Sequence, residues 1–250
     1  MSLPVFIADA LPETLGPQGV STVLIDGAEG RHAATVKRLK VGEAVQLTDG
    51  RDRRATGTIS EVRGKTAIAV AVTELADVLR PGPEITVVQA IPKGERGELS
   101  VDLMTQAGVD RIVIWQAARC IARWSGPKQE KGRDKWAATA REAAKQARRS
   151  WIPEVSGPAT TADVKKLIAE VDTALVLHET AATPLTQVPL PESGHIVLIV
   201  GPEGGVTEEE IAAFTEAGAR SVVLGPQVLR SAAAGAVALG ALGALTPRWD

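Results

Sequence analysis

The sequence has few of the residues on which disulfide and metal chemistry depend. Its single cysteine, Cys120, cannot form a disulfide within the chain, and its three histidines lack the spacing of metal ligands. We therefore expect neither an internal disulfide nor a bound metal ion.

Long apolar segments are also absent. No run approaches the roughly 18 to 20 residues of a membrane-spanning helix. The first 16 residues lack a basic start followed by a long apolar stretch. We therefore expect a cytoplasmic protein without a membrane segment. With 250 residues, the chain is long enough for one large or two modest domains.

The small net charge of -2 conceals a strongly basic segment. Residues 119–149 contain ten Lys or Arg against three acidic residues, a net charge of +7, so the rest of the chain carries -9. A basic stripe on an otherwise acidic chain indicates a local contact with a polyanion. The alternative is a solvated helix face.

The first 75 residues are typical of a small β-rich domain. Alternating apolar and polar residues predict strands at 22–25, 44–48, 55–62 and 67–74, with turns at 26–27 and 49–50. We predict a small β-barrel in residues 1–75. Residues 76–83 contain two prolines and one glycine, which indicates a linker.

The pattern changes from residue 84 onward. Short runs rich in Val, Ile and Leu predict strands covered on both faces; they lie at 85–91, 111–115, 174–177, 196–200 and 221–224. Helical patterns lie between or after them, at 100–106, 134–149, 162–171, 208–217 and 228–245. We predict an α/β domain with a parallel sheet in residues 84–250.

The helix predicted at 208–217 has a well-defined start. Thr207 can cap it while Glu210 reaches back to the cap amide, and Val206 can pack on Ile211. Three glutamates in its first turn would repel a phosphate, so a neutral or cationic ligand is favoured nearby.

Three turns that follow predicted strands can build a ligand site. They are Leu177-His178-Glu179, Gly201-Pro202-Glu203-Gly204-Gly205, and residues 224–230, Leu-Gly-Pro-Gln-Val-Leu-Arg. Glycine lets peptide groups approach a ligand closely, and ligands bind at the carboxyl edge of α/β sheets. Taken alone, each turn is in most proteins a simple chain reversal, and the presence of three such turns at strand ends in one domain favours a ligand site.

Other ligand motifs fail. Gly64-Lys65-Thr66 lacks the first glycine of a phosphate loop, since residue 59 is Ile, and no helix pattern follows. The dinucleotide fingerprint G-x-G-x-x-G does not follow the first predicted strand of the α/β domain, and the hydrolase motif G-x-S-x-G is missing.

Four segments carry a resemblance to a known family. They are GPEGGVTEEE at 201–210, LGPQVLRSAAAGAVA at 224–238, REAAKQARRSWIPEV at 141–155 and KGERGELSVDLMTQAGVD at 93–110. Together they resemble the RsmE-type methyltransferases, which methylate N3 of a uridine in 16S rRNA and belong to the SPOUT superfamily. Residues 32–42 and Asp49-Gly50 resemble that family's PUA-like RNA-binding domain.

The resemblance implies a C-terminal trefoil knot, S-adenosylmethionine as cofactor and a homodimer. It implies that the three turns enclose the cofactor, and the expected cofactor-binding residues are Leu177, His178, Glu179, Gly201, Pro202, Gly204, Gly205, Leu224, Gly225, Val228, Leu229 and Ala234. The chain departs from the common LRTETA pattern, because residues 229–234 read LRSAAA and lack an acid and a hydroxyl.

Two residues are candidates for catalysis. Arg230 can stabilise the anion that forms when uracil N3 loses its proton, and a structural role in its loop is the alternative. Glu203 can orient the base or accept a proton, and the alternative is that it holds its own loop.

Basic residues are the expected contacts to the phosphates of 16S rRNA or the small ribosomal subunit. They are Arg31, Lys37, Arg38, Arg119, Arg123, Lys128, Arg133, Arg141, Lys145, Arg148 and Arg149. Trp136 belongs to an apolar helix face and is expected in the core. The alternatives to uridine-N3 methylation are a SPOUT enzyme that methylates ribose 2′-OH groups of another RNA, and a non-catalytic RNA-binding or assembly factor.

Overall fold

The computed structural model describes residues 3–249, so residues 1, 2 and 250 of the two predicted domains lie outside the description. The chain forms two compact units. Among the described residues, the first unit contains 3–80 together with Ala144–Ile152, and the second contains Pro81–Ala143 and 153–249.

The first unit is built on a five-stranded sheet. Its strands are β1 Val5–Ile7, β2 Ser21–Ile25, β3 Ala44–Thr48, β4 Arg53–Arg63 and β5 Ala67–Asp77, and its short helix α1 is Gly27–Arg31. A π-helical turn, His32–Val36, follows α1. The strand order is β1-β3-β4-β5-β2, in which only the β1–β3 pair is parallel. A small core of alternate strand residues, such as Val45 and Leu47, covers one face of this sheet.

The second unit contains a six-stranded sheet in which every neighbouring pair is parallel. Its strands are β6 Glu84–Ala90, β7 Arg111–Trp115, β8 Glu154–Ala159, β9 Thr173–Leu177, β10 His195–Val200 and β11 Arg220–Val222. The strand order is β11-β9-β10-β6-β7-β8. The predicted α/β class with a parallel sheet is confirmed.

Five helices accompany this sheet. They are α2 Arg96–Gln106, α3 Pro127–Gln146, α4 Thr161–Ala169, α5 Glu208–Glu216 and α6 Ser231–Leu245. Residues 196–200 of β10 are all buried, and side chains of a strand alternate between faces, so both faces of the sheet are covered at this strand. Helices α2 and α6 pack together, and α4 packs on α5. No helix within residues 3–249 has the length and apolarity to cross a bilayer.

The strand order explains how the second unit can build a site. Strands β11, β9 and β10 are neighbours and run in one direction, so their carboxyl ends lie at the same edge. The three glycine-containing or polar turns of the sequence follow these three strands. They therefore meet at one place although they are far apart in the chain.

Candidate functional site

A cavity of about 500 Å³ lies where β9, β10 and β11 end. All twelve residues expected to bind the cofactor line it, as do Glu203 and Arg230. Further lining residues, which were not named as cofactor contacts from the sequence, are Arg119, Val200, Val206, Val222, Val223, Gln227 and Ser231. Val200, Val222 and Val223 lie at or just after the ends of β10 and β11, where no motif marks them.

The turn after β10 depends on glycine at particular positions. Gly205 has φ +75°, a left-handed conformation that strains other residues, and its amide donates to the Pro202 carbonyl at 2.9 Å. A Cβ on Gly201 would lie 2.7 Å from Cγ2 of Val206, closer than the packing allows. The conformation of this turn and its packing on Val206 therefore require glycine at residues 205 and 201.

The start of α5 confirms the predicted capping box. The Glu210 amide donates to the Thr207 hydroxyl at 3.1 Å, and the Thr207 amide donates to the Glu210 carboxylate at the same distance. The buried Glu210 carboxylate also accepts from the Ala118 amide at 2.8 Å and from the Thr161 hydroxyl at 3.2 Å. One cap residue thus joins three segments, a long-range role that the local pattern could not indicate.

The first turn of α5 favours negative charge. Hydrogen bonding from its own backbone amide lowers the pKa of Glu209, with further contributions from Thr207 and from the charge of Arg119. The Glu209 carboxylate therefore remains ionised and disfavours a phosphate nearby.

Ser231 fixes the turn after β10 from the opposite side. Its hydroxyl donates to the Gly201 carbonyl at 2.6 Å and accepts from Nε2 of Gln89 at 3.1 Å. Oε1 of Gln89 accepts in turn from the Ser100 hydroxyl at 3.0 Å. These three buried side chains form a directed hydrogen-bond chain that ends at the cavity. Gln89 and Ser100 could not be predicted from the sequence, because isolated polar residues in buried elements carry no motif.

Glu203 is held by a neighbouring loop. Its carboxylate accepts from the Lys93 amide at 3.2 Å and lies 3.4 Å from Nη1 of Arg96. Of the two roles considered for Glu203, this geometry favours the loop-holding one, because both interactions join the turn to the start of α2.

Arg230 precedes α6 with an extended backbone, φ -64° and ψ 141°. Its carbonyl accepts from the amides of Ala233 and Ala234 and so starts the helix. Within residues 3–249 its guanidinium makes no hydrogen bond or ion pair, and the side chain is exposed at the cavity. The charge of Arg230 is therefore available to a ligand.

The turn after β9 is held by a side chain of its own. Nδ1 of His178 lies 3.0 Å from the Thr180 hydroxyl and 3.4 Å from the Thr180 amide. Glu179, between them, is exposed at the cavity.

The structure disfavours one of the predicted phosphate contacts, Lys145. Lys145 is only 9% exposed, and its Nζ lies 2.8 Å from Oε1 of Glu29, which is equally buried. The other carboxylate oxygen of Glu29 accepts from the Ile7 amide at 3.2 Å. An ammonium group enclosed in this way cannot reach RNA, because separating the pair would leave a buried carboxylate without its counter-charge.

The other predicted phosphate contacts lie at the surface of their own units. In the first unit, Arg31, Lys37, Arg38 and Arg148 are exposed, and Arg149 lies 5.5 Å from the centre of the Trp151 ring. In the second unit, Arg119, Arg123 and Lys128 are exposed, and Arg133 and Arg141 are partly buried. Their contact with RNA stays a prediction. Trp136 is buried as predicted and packs edge to face on Trp124.

The remaining reactive groups give no second site. Burial raises the pKa of the Cys120 thiol, which keeps it protonated at neutral pH. Within residues 3–249, no group of three or more His, Cys, Asp or Glu residues has the geometry of a metal site.

Comparisons with known proteins agree with this geometry. The model of an RNA methyltransferase domain matches residues 80–243, and the model of an RNA methyltransferase PUA domain matches residues 25–72. The parallel sheet, the cavity at its carboxyl edge and these matches define an RNA methyltransferase fold with a PUA-like N-terminal domain.

Individual relatives narrow this class. Ribosomal RNA small subunit methyltransferase E of Mycobacterium bovis is 44% identical over 98% of this chain and 93% of its own length. The Bacillus subtilis protein of the same name is 27% identical over 88% of this chain and 89% of its own. The crystal structure of the Neisseria gonorrhoeae protein of that name, bound to S-adenosyl methionine, superimposes with a TM-score of 0.83 and 26% identity over 98% of both chains. The chain belongs to the ribosomal RNA small subunit methyltransferase E family.

Proposed function

We propose that this protein transfers a methyl group from S-adenosylmethionine to N3 of a uridine in 16S rRNA. The main support for the proposal is the cavity in which the turns after three neighbouring strands meet. Arg230, whose guanidinium makes no hydrogen bond or ion pair within residues 3–249, lines the same cavity. Family membership supports the same reaction, since the relatives are named for methylation of small-subunit rRNA.

The cavity suits the proposed cofactor in size and character. Its volume of about 500 Å³ lies within the roughly 300–1,000 Å³ of small-molecule sites. Leu177, Leu224 and Leu229 supply apolar walls, while the glycine-rich turns offer peptide groups for polar parts of a ligand. The acidic first turn of α5 and the exposed Glu179 favour a cationic ligand over a phosphate. The cofactor, when bound, supplies an electrophilic methyl group on a positively charged sulfur.

The residues of the chain contribute mainly by alignment and charge. Fixing the reacting atoms in line can lower the barrier by roughly 7 to 11 kcal/mol. Ser231, Glu203 and Gly205 hold the turn after β10 in one conformation, which keeps this wall of the site rigid. The free guanidinium of Arg230 stabilises the negative charge that develops on the uracil ring as N3 loses its proton.

Affinity for RNA comes from the exposed basic side chains. Contacts to phosphates position the RNA without reading its sequence, and they make binding weaker as the salt concentration rises. We assign this role to the predicted basic residues other than Lys145. Those that lie in the PUA-like domain form a second group of contacts.

The assembly and the threading of the chain belong to the same proposal. We infer a cytoplasmic homodimer with a knotted C-terminal segment, on the basis of family membership. Apolar side chains exposed on and after α6, including Val237, Leu245 and Trp249, support a contact of the second unit with another chain.

One experiment tests substrate and reaction together. The protein is incubated with methyl-labelled cofactor and small ribosomal subunits from cells that lack this modification, and the methylated atom is mapped by mass spectrometry of nucleosides. We expect 3-methyluridine in 16S rRNA. Label on a ribose would support the 2′-O-methyltransferase alternative, and failure to bind the cofactor in a titration would support a non-catalytic factor.

A further inference from the structure

Arg119 occupies a position that phosphate binding alone does not explain. It follows β7 in the chain, yet it lines the cavity at the ends of the other strands. Its Nη1 donates to the Gly204 carbonyl at 3.1 Å. A Cβ on Gly204 would lie 3.3 Å from Cβ of Arg119, so the glycine lets the arginine lie close along the turn.

The charge of Arg119 is not neutralised by an ion pair. Its observed partner is a neutral carbonyl, and within residues 3–249 no carboxylate lies at ion-pair distance from it. The acidic residue of the turn after β10, Glu203, is bound to Lys93 and Arg96 instead. Arg119 therefore places a guanidinium at the cavity wall, where its charge also contributes to lowering the pKa of Glu209.

Among the described lining residues, Arg119 and Arg230 are the two that carry a guanidinium group. They reach the cavity from different segments, one following β7 and the other preceding α6. A ligand in the cavity can therefore meet two independent cations.

The chemistry of uracil gives these two cations a shared role. N3 lies between the carbonyl groups at C2 and C4, and when N3 loses its proton the negative charge spreads onto both oxygens. In the overall transfer, the N3–H bond breaks and the proton passes to water. The N3 electron pair forms the N–CH₃ bond, and the electrons of the S–CH₃ bond remain on sulfur as a neutral thioether.

We propose that Arg119 is a second catalytic cation, which contacts one uracil carbonyl oxygen while Arg230 contacts the other. This inference rests on the proposed function. It makes the site selective for a ring nitrogen flanked by two carbonyl groups, which uracil offers and cytosine does not. Donors placed where charge develops are among the strongest contributors to catalysis.

Two other roles are possible for Arg119, and the test must separate them. A phosphate contact would affect the binding of RNA, and a brace for the turn after β10 would affect the binding of cofactor. The variant Arg119→Gln removes the charge but keeps an amide donor for the Gly204 carbonyl. Arg220→Gln is the matched control, because Arg220 is exposed in the same unit, is not among the predicted phosphate contacts and does not line the cavity.

We expect Arg119→Gln to lower turnover at saturating cofactor and subunits by about 100-fold. The dissociation constant for the cofactor, measured by calorimetry, should change less than about threefold, because the brace is retained. Arg220→Gln should leave turnover close to that of the unchanged protein.

The decisive measurement uses subunits reconstituted with RNA that contains 5-fluorouridine. Fluorine at C5 withdraws electrons and makes N3–H more acidic, so it replaces part of the stabilisation that a cation supplies. The loss of turnover in Arg119→Gln should become at least tenfold smaller on this RNA, whereas the turnover of Arg220→Gln relative to the unchanged protein should stay the same.

Three results would overturn the proposal. The first is a loss of turnover in Arg119→Gln that is equally large on RNA with 5-fluorouridine. The second is a change in this variant that affects only the KM for subunits, and the third is a loss of cofactor affinity large enough to account for the whole loss of turnover. Failure of the proposed function is separate, because the unchanged protein would then make no 3-methyluridine on either RNA.

Discussion

The Ser231 hydroxyl donates a 2.6 Å hydrogen bond to the Gly201 carbonyl and thereby joins the start of α6 to the turn after β10. Both residues line the cavity, and Ser231 is itself held by the buried Gln89. The hydroxyl is a small feature of a helix start otherwise made of alanine. It nevertheless determines where a peptide group of the proposed cofactor site lies.

Replacing Ser231 by alanine should weaken cofactor binding. The Gly201 carbonyl would lose its partner at a partly buried site, which costs about 1–3 kcal/mol, and the turn would gain freedom. We expect the dissociation constant for S-adenosylmethionine, measured by calorimetry, to rise about tenfold. Ser231→Thr should restore most of the affinity, and Ser193→Ala, on the surface of the same unit, should leave it unchanged. An unaltered affinity for Ser231→Ala would remove this hydrogen bond from the site.

Arg230→Ala should depress turnover more than cofactor affinity. Because the guanidinium has no partner within the described chain, its loss leaves the fold intact and removes only charge stabilisation in the reaction. We expect turnover at saturating substrates to fall about 100-fold or more, with a cofactor dissociation constant within about threefold of the original. Arg220→Ala is the control, because Arg220 is exposed on β11 outside the cavity. A rate equal to that of this control would exclude Arg230 from the mechanism.

Glu203→Gln separates the two roles of Glu203. A proton acceptor contributes about 10²–10⁴-fold to a rate, whereas a loop anchor needs chiefly an acceptor for the Lys93 amide, which glutamine retains. We expect turnover to fall less than about tenfold. Glu203→Ala, which removes the acceptor, should lower both turnover and cofactor affinity. A fall of more than 100-fold for Glu203→Gln at unchanged cofactor affinity would instead identify a catalytic base.

The second unit was predictable where local chemistry determines structure. Arg111–Trp115 has the predicted bounds, because a buried run of β-branched residues defines that strand. The capping box of Thr207 and Glu210 fixed the start of α5. The three turns could be expected to meet because the carboxyl ends of parallel strands share one edge.

Elements that depend on distant partners were missed. β8 contains Gly157 and Pro158, which argue against a strand by sequence, but it lies at the edge of the sheet, where proline is tolerated. β1 has three residues and exists through its pairing with β3. Helix α3 begins at Pro127 and not at the predicted residue 134, because proline suits the first turn of a helix. Helix α6 begins at Ser231 and not at the predicted residue 228, because the backbone of Arg230 is extended.

The pairing of Lys145 with Glu29 shows why charge along the sequence misleads about binding. Lys145 belongs to a basic segment, yet it is enclosed with a carboxylate 116 residues away in the chain. Residues Ala144–Ile152 fold with the first unit, and this long-range placement has no local signal. A basic residue can contact RNA only if it is not already paired with a buried acidic residue.

Breaking the ion pair between Lys145 and Glu29 should destabilise the first unit. It should not change how RNA binding depends on salt concentration. The single variant Lys145→Met leaves Glu29 buried and charged without its partner, which costs about 3–5 kcal/mol of stability. The double variant, Lys145→Met with Glu29→Gln, removes both charges and keeps an acceptor for the Ile7 amide. We expect faster hydrogen exchange in peptides of the first unit for the single variant, with much of the protection recovered in the double variant. Lys37→Met, at an exposed site, is the control for loss of a surface charge.

The same variants test the RNA assignment directly. Each phosphate contact contributes about 0.9 to the slope of log K against log salt concentration on duplex nucleic acid and about 0.7 on single strands. Because the Lys145 charge is already compensated by Glu29, the double variant should bind small subunits with the same salt dependence as the unchanged protein. A slope reduced by close to one unit would show that Lys145 contacts a phosphate after all, and that the pair with Glu29 opens when RNA binds.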